Sequence, residues 1–451
     1  MTHGSILRHA ISTAIPHQAV QRHVSGRLKW LGCLALWALL TPTADAGGLI
    51  RDGIGAISMG RVGTNIAHSD NGAVILDNPA GLVNFEGRNY VEFGIDTVIP
   101  MLHYTDQFNN TNNSTQPLPI PEFAWYHTSE DRSWAVGFGV FAPAGYTASY
   151  MLENPVFGPG LHRYRSMGAY AKILPGIAFH ITEDLSIGAS FGLGVTRIQL
   201  DGPFFLQTGP LAGTPANFDM SVTGAAPIWN IGVQYQLTDD TTIGLAYNSD
   251  ANFAAKGNLD AVVLPGTPLQ FPSTFNSRLA ITWPQSLGLG IKHTIADQHR
   301  LSCDVVWYGW SSAFDDLGLT QTAPTNPIVP MLLGSSTIHD NLPLNWADEV
   351  SMRFGYEYFA TDNDTWRFGY AYHPSPVPSN TLNPYLDGIL EHAGSIGYSH
   401  RWDGWLLNLA YQYDWGPTRA VKESIIAGRN FANSTLKAQA HWIAISVSHN
   451  F

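Results

Sequence analysis

LSIGASFGLGVT runs from Leu185 to Thr196, and its period decides the fold. Leu185, Ile187, Ala189, Phe191, Leu193 and Val195 share one face, while Ser186, Gly188, Ser190, Gly192, Gly194 and Thr196 share the other. Successive side chains of a strand point to opposite faces, so this is a strand with one apolar face and one small, polar face. The rhythm returns in Trp229, Ile231, Val233, Tyr235 and Leu237. It returns again in Val350, Met352, Phe354, Tyr356 and Tyr358, and in Leu407, Leu409, Tyr411 and Tyr413. The apolar faces often end in Tyr or Trp, as the aromatic girdles of membrane barrels do.

Composition agrees. The chain has 451 residues and a formal net charge of −12, which disfavours nucleic acid as a partner. Charged residues make up 13% and aromatics 12%, with 44 Gly and 14 Trp, yet mean hydropathy is −0.04. A helical membrane protein is far more apolar, and beyond residue 46 no stretch offers about 18 consecutive apolar residues. In a transmembrane β-barrel, apolar and polar positions alternate and cancel.

Arg22, Arg27 and Lys29 precede an apolar core from Trp30 to Leu40 and the small-x-small site Ala44-Asp45-Ala46. Residues 1–46 therefore read as a secretory signal peptide. Its removal takes away four basic residues and one acidic residue, leaving a charge of −15. Cys303 is then the single cysteine, so no intrachain disulfide is expected.

Six short polar connections recur: 129–133, 182–184, 238–240, 296–298, 361–364 and 400–404. Between and around them lie seven longer stretches rich in Gly, Pro, Asn and Thr: 101–120, 143–165, 201–227, 251–273, 311–346, 375–390 and 416–436. Outer-membrane barrels have short periplasmic turns and long extracellular loops. Six turns and seven loops join fourteen strands, so the chain reads as all-β, a 14-stranded antiparallel transmembrane barrel over residues 88–451. Open edges are costly in lipid, so the sheet must close. The last strand alternates through Ile443, Ile445 and Val447 to a terminal Phe451. That ending resembles the signal read by the outer-membrane barrel assembly machinery, an expected partner.

Residues 47–87 precede the wall and do not alternate. They are Gly-rich and hold Ile50, Ile54, Ile57, Met59, Val62, Ile66, Val74, Ile75 and Leu76. These side chains need cover, and a barrel of this size has a lumen to fill. The segment reads as a hatch plugging the lumen.

Several stretches carry a family resemblance. They are Ser58-Met59-Gly60-Arg61-Val62-Gly63, Asn78-Pro79-Ala80-Gly81-Leu82, Tyr164 and Tyr170 with Lys172 and Pro175-Gly176, and Leu185-Ser186-Ile187-Gly188-Ala189. Further along come ITWPQSLGLGI from Ile281, CDVVWYGWSSAF from Cys303 and NWADEVSMRFGYEY from Asn345. Together they resemble the long-chain fatty acid and aromatic-hydrocarbon transporter family of outer-membrane proteins, over essentially the whole chain after the signal. One departure is Ala73-Val74-Ile75-Leu76-Asp77, where the family carries small residues. The resemblance implies a Gram-negative outer-membrane location and passive uptake of a hydrophobic small molecule. Ligand would leave through a kink in the third strand, sideways into the membrane lipid. No cofactor or metal is implied.

The resemblance makes Asn78, Pro79, Ala80 and Gly81 a hatch motif, with Asn78 expected to bond the kinked strand's unpaired backbone. The third strand would be Ser133–Ala142, where Gly137 and Gly139 permit a kink ahead of Pro143. Lys172, Arg353 and Arg367 are candidate contacts for a ligand carboxylate, and the bland alternative is that lumen charges such as Glu357 pair with them or with the hatch. Gly188-Ala189-Ser190-Phe191-Gly192 matches a nucleophile-elbow pattern, but Ser190 lies mid-strand, so no enzyme is expected. Thirteen histidines follow the signal, none at H-E-x-x-H spacing. A solute-specific or general porin is the alternative function; a barrel lipase and a loop-based adhesin are weaker ones. The loops at 201–227 and 251–273, with Phe204, Phe205, Leu206, Leu264 and Phe271, are a candidate capture groove. Nothing in the sequence demands more than a monomer.

Overall fold

A computed structural model describes residues 49–451; the predicted signal peptide lies outside the described residues. Fourteen strands form the wall. They are β1 Asn89–Thr105, β2 Leu118–Thr128, β3 Trp134–Glu153, β4 Leu161–His180, β5 Leu185–Phe205, β6 Pro215–Thr238 and β7 Thr241–Asn248. The rest are β8 Ser286–Ile295, β9 His299–Tyr308, β10 Glu349–Phe359, β11 Asp364–Tyr372, β12 His392–Trp402, β13 Trp405–Trp415 and β14 Ser434–Asn450. Each pairs antiparallel with the next, and β14 closes the barrel on β1 from Tyr90↔Asn450 to Thr105↔Thr435. All six short connections fall at the expected turns.

The alternation works inside out. On β5, Ile187, Phe191 and Leu193 are exposed, while Ser186, Ser190 and Thr196 are buried. Phe93, Ile231, Leu289, Phe354 and Ile445 on other strands are exposed in the same way. An apolar belt of this extent is at home only in lipid.

Two expected loops are largely strand. β3 and β4 stay paired up to Glu153↔Leu161, and β5 and β6 up to Phe205↔Pro215. Apolar alternation lapses there because the strands have left the lipid, but the backbone still satisfies itself across the ladder. Beyond β7, a hairpin of Ala251–Val263 and Phe271–Trp283 extends the sheet, pairing with β6 on one side and with Asp316–Thr322 on the other.

Residues 49–87 form two single-turn helices, Ala56–Met59 and Val74–Asp77, and a 3-10 stretch Pro79–Asn84. Nearly all of the segment is buried. It bonds inward residues on opposite sides of the wall, among them Glu92 of β1, Asn230 of β6, Asp304 of β9 and Arg353 of β10. The segment therefore lies within the lumen.

Candidate functional site

The wall is continuous except beside β3. β2 and β3 pair only from Thr128↔Ala135 to Phe123↔Val140. Above that point Leu118–Glu122 pair with β1 alone, and β3 turns away. The turn is a β-bulge on β3: Phe141 faces Lys172 and Ala144 faces Tyr170, so Ala142 and Pro143 together oppose Ala171. Higher up, Ser114 N–H donates to Ser149 O at 2.8 Å and closes the gap. The result is a window between β2 and β3. Pro119 and Pro121 lie on the β2 side of it, where two absent N–H groups reduce the donors left without a partner in lipid. These prolines mark an edge within a barrel, and the sequence reading passed over them.

On the β3 side, residues 49–51 supply the missing partners. Arg51 N–H donates to Pro143 O at 3.0 Å, and Gly145 N–H donates to Leu49 O at 3.1 Å. Arg51 Nη1 donates to Ala142 O at 3.1 Å, and Ile50 bridges Ala144. Arg51 also pairs with Asp96 and lies over the Trp442 ring, 4.7 Å from its centroid. Behind the window is a cavity of about 350 Å³, lined by Leu49, Ile50, Leu102, Ile120, Tyr146 and Ile389 among others. Its walls are mostly apolar.

Asn78 is elsewhere. Its amide donates to Ile66 O at 2.7 Å and to Val233 O of β6 at 3.0 Å, and its Oδ1 accepts from Ala80 N–H at 3.2 Å. The Asn78-Pro79 backbone rests on the cross-strand pair Gly188 and Gly232. A Cβ on Gly188 would lie 2.4 Å from the Pro79 carbonyl, and one on Gly232 would lie 1.9 Å from Asn78 Oδ1. Asn78 and Pro79 thus rest on β5 and β6, and residues 49–51 serve the kinked strand that Asn78 was expected to serve. Ala80 and Gly81 are buried in the same 3-10 stretch.

Pro143 is at the bulge, but Gly137 and Gly139 remain in register with both neighbours. Both face the lumen, where a Cβ would meet Tyr126 at 2.6 Å and Phe141 at 2.3 Å. They make room for inward packing and do not bend the strand.

The inward charges pair. Glu357 accepts from Arg367 Nε at 2.8 Å, and lies 3.2 Å from both Arg61 and Arg300. Arg61 also holds Asp70 at 2.6 Å, and Arg353 faces Asp52 at 3.4 Å. Arg353 and Arg367 are thus engaged by protein carboxylates. Lys172 makes no such ion pair: its Nζ lies 3.5 Å from Asn248 Oδ1 and 5.6 Å from the centre of the Tyr170 ring. It borders a small chamber of about 70 Å³ with Asp77, Ile54, Tyr170 and Trp283, reached past Ala144 of the bulge. His68, Asp70 and Glu357 are close enough to share a cation, but the guanidinium groups of Arg61, Arg300 and Arg367 already surround those carboxylates. His68 itself is fully buried, and burial with the nearby Arg61 charge pushes its imidazole down to about 3.

A second apolar pocket sits among the upper strands, between Leu206, Phe218, Leu259, Phe271, Phe275 and Val329. Of the residues expected to form a capture groove, Leu206 and Phe271 line it, and Phe204 stacks on Phe218 at 5.0 Å. Ser190 is buried in mid-β5, opposite Gly176 and Asn230, with no turn or helix following it.

A hydrophobic belt, a lumen occupied by the chain's own N-terminal segment and a window in the wall define an outer-membrane transport barrel. The family described as outer membrane protein transport protein (OMPP1/FadL/TodX) matches residues 37–451, and the chain belongs to it. The long-chain fatty acid transport protein of Escherichia coli O6:H1 is 21% identical over 381 residues, covering 76% of this chain and 81% of that protein. The solved structure of the P. putida toluene transporter TodX superposes with a TM-score of 0.73 at 20% identity, over 89% of this chain and 99% of its own. A Pseudomonas aeruginosa FadL homologue gives 0.71 at 16% identity, over 90% and 100%. Members of the family are transport proteins of the outer membrane.

Proposed function

We propose that this protein takes up hydrophobic compounds passively across the outer membrane. Ligand binds first in the apolar pocket of the upper strands, enters the lumen, and leaves through the window between β2 and β3 into the lipid. The observation that carries this reading is the window itself, opening from an apolar cavity of about 350 Å³ onto the membrane. An apolar solute gains nothing from a watery lumen, whereas a sideways exit keeps it in apolar surroundings. Residues 49–87 act as the hatch, and Asn78-Pro79-Ala80-Gly81 as its seat. The chain is not an enzyme, works as a monomer, and is assembled through its terminal Phe451.

Long-chain fatty acids and monoaromatic hydrocarbons are both within this reading, since the relatives include proteins named for each. Lys172 separates them. It is the candidate cation not held in an ion pair with a protein carboxylate, so Lys172→Met should lower oleate uptake and leave toluene uptake unchanged if the ligand is a carboxylate. Radiolabelled oleate and toluene uptake in a strain lacking the protein, with and without complementation, tests the whole proposal. Equal uptake in both strains would refute it. Removing residues 49–87 should convert a poorly conducting barrel into an open pore in planar bilayers. An intact protein that already conducts small ions freely would favour the porin reading.

A further inference from the structure

The cavity behind the window is bordered on one side by residues 387–390, in the segment between β11 and β12. That segment is tied to the wall. The Tyr385 hydroxyl donates to Pro203 O of β5 at 2.7 Å, and Ser166 Oγ of β4 donates to Tyr385 O. Within the segment, Ser375 Oγ donates to Gly388 O at 3.1 Å. Gly388 takes a φ of 43°, which glycine adopts at little cost. Leu382, Leu386 and Ile389 are buried. Asp387 is therefore presented to the cavity by a chain fixed on both sides of it.

Five acidic or basic side chains border this cavity: Arg51, Asp52, His373, Asp387 and Asp414. Four of them are engaged by the protein. Arg51 pairs with Asp96. Asp52 lies 3.1 Å from His373 Nε2 and 3.4 Å from Arg353 Nε. Asp414 accepts from Gln412 Nε2 at 2.8 Å and from Trp442 Nε1 at 2.7 Å. Asp387 differs. Its Oδ1 accepts from the adjoining Gly388 N–H at 2.9 Å, and its carboxylate has no ion-pair partner among the described residues. Burial pushes its carboxyl up to about 6, so it is ionised at neutral pH.

A carboxylate set in a mostly apolar wall with no cation beside it is costly. The cost falls when a ligand brings an O–H to it, because a hydrogen bond to an ionised acceptor is stronger than a neutral one. The low dielectric of the cavity strengthens that bond further. A hydrocarbon can use the apolar walls but leaves Asp387 as it was. A ligand carboxylate fares worst. It meets a like charge, and the cations within reach, Arg51 and His373, are already held by Asp96 and Asp52. An ammonium would match Asp387 but would then have to carry its charge into lipid.

We propose, resting on the uptake reading above, that Asp387 sets the specificity of the exit cavity: it favours hydrophobic compounds carrying a neutral hydroxyl, such as alkylphenols, over plain hydrocarbons, and both over carboxylates. The ligand's apolar body lies against Leu49, Ile50, Leu102, Ile120 and Ile389, and its hydroxyl donates to Asp387. The bond is single and the ligand uncharged, so release through the window into lipid stays possible. In this order fatty-acid carboxylates rank below alkylphenols of similar size. An Asp387 that is only hydrated by water in the cavity would impose no order at all.

The test measures entry of radiolabelled para-hexylphenol, hexylbenzene and para-hexylbenzoate into a strain lacking the protein, with and without complementation. At about pH 7.5 the phenol keeps its proton and the benzoate has lost its own. The protein-dependent rate at low concentration should be highest for the phenol, about tenfold above hexylbenzene, and lowest for the benzoate. Asp387→Asn keeps the shape of the side chain and an acceptor for Gly388 N–H but removes the charge. It should cut the phenol's lead to about twofold or less, raise benzoate entry and leave hexylbenzene entry unchanged. Should that variant fail to insert, Asp387→Ser should give the same loss of order. Equal protein-dependent rates for the three compounds, or a phenol lead that survives the substitution, would overturn the proposal and leave the uptake reading standing. Entry of all three at the same rate with and without the protein would refute the uptake reading, and the proposal with it.

Discussion

The hatch is held in two contrasting ways. On the side of β5, β6 and β9 to β11 it is bound by buried and half-buried side chains: Arg61 and Asp70 with Glu357, Arg300 and Arg367, Asp304 accepting from Asn65 N–H at 2.8 Å, and Asn78 on Val233. At the window it is held by residues 49–51, through a short backbone patch on the bulge and the Arg51–Asp96 pair. Buried ion pairs break only at high cost, because each leaves an uncompensated charge behind. The window side has one such pair, Arg51–Asp96, against a network of them on the other side, and the backbone patch at Leu49 and Ile50 beside a cavity opens more readily than that network, since local opening follows low contact density. The difference assigns the moving part. On this contrast the segment expected to move is Leu49 and Ile50 beside β3, with Arg51 held by Asp96; the chamber next to it, at about 70 Å³, is too small for a ligand.

Fixing the patch should break that assignment most directly. Ile50 and Ala144 form an antiparallel bridge, and Cα atoms so placed are near enough for a disulfide. Ile50→Cys with Ala144→Cys, in a Cys303→Ser background, should lower uptake by about tenfold or more under oxidising conditions, because it ties both sides of the patch. Reductant should restore it. Full uptake by the oxidised protein would show that the passage does not need this segment to move.

The anchored side predicts a different phenotype. Glu357→Gln leaves Arg61, Arg300 and Arg367 around a neutral amide, at a cost of about 3–5 kcal/mol. The wall ladders are untouched, so the barrel should still resist unfolding in heat-modifiability gels while channel noise in planar bilayers rises. A quiet channel of unchanged stability would mean that the cluster does not anchor the hatch. Asn78→Ala acts on the same side but removes only the bonds donated to Ile66 O and Val233 O and the acceptor for Ala80 N–H. A loss of about 1–3 kcal/mol is expected. It should appear as faster proteolysis of residues 49–87, with uptake reduced less than by the disulfide.

The wall was legible because lipid enforces period two, as on β5, and because short turns and long loops differ in composition. That residues 47–87 do not belong to the wall was legible from apolar chain without alternation. What sits beside what was less so. Asn78 was expected at β3 and lies on β6, because the Gly188–Gly232 pair that admits it is formed by two strands more than forty residues apart. Gly137 and Gly139 suggested flexibility but face inward packing, and the bend falls beyond them at Ala142 and Pro143. Pro119 and Pro121 were the readable sign of an opening, since proline within a wall strand implies an edge. The pairing of Arg353 and Arg367 with acids could be stated as an alternative, but Asp52 lies some three hundred residues from Arg353, and no local pattern joins them.

The smallest effect concerns protons, and it follows from the same contrast. His68 lies among Arg61, Asp70 and Glu357, fully buried, with its imidazole pushed down to about 3 by burial and by Arg61. In an undocked hatch it would take up a proton at the ordinary value, near 6.5. The docked state therefore binds fewer protons, and its stability is present above about pH 6.5 and lost progressively as pH falls towards 3. Each pH unit below 6.5 should cost at most about 1.4 kcal/mol. The backbone bonds of residues 49–51 contain no group that titrates in this range. Hydrogen exchange corrected for intrinsic rates, compared at about pH 7 and pH 5.5, should thus show protection falling around His68 and Asn65 while the 49–51 patch changes little. His68→Gln should flatten the dependence. Equal loss on both sides would mean that the hatch docks as one cooperative unit, and the two modes of attachment would then have no separate mechanical meaning.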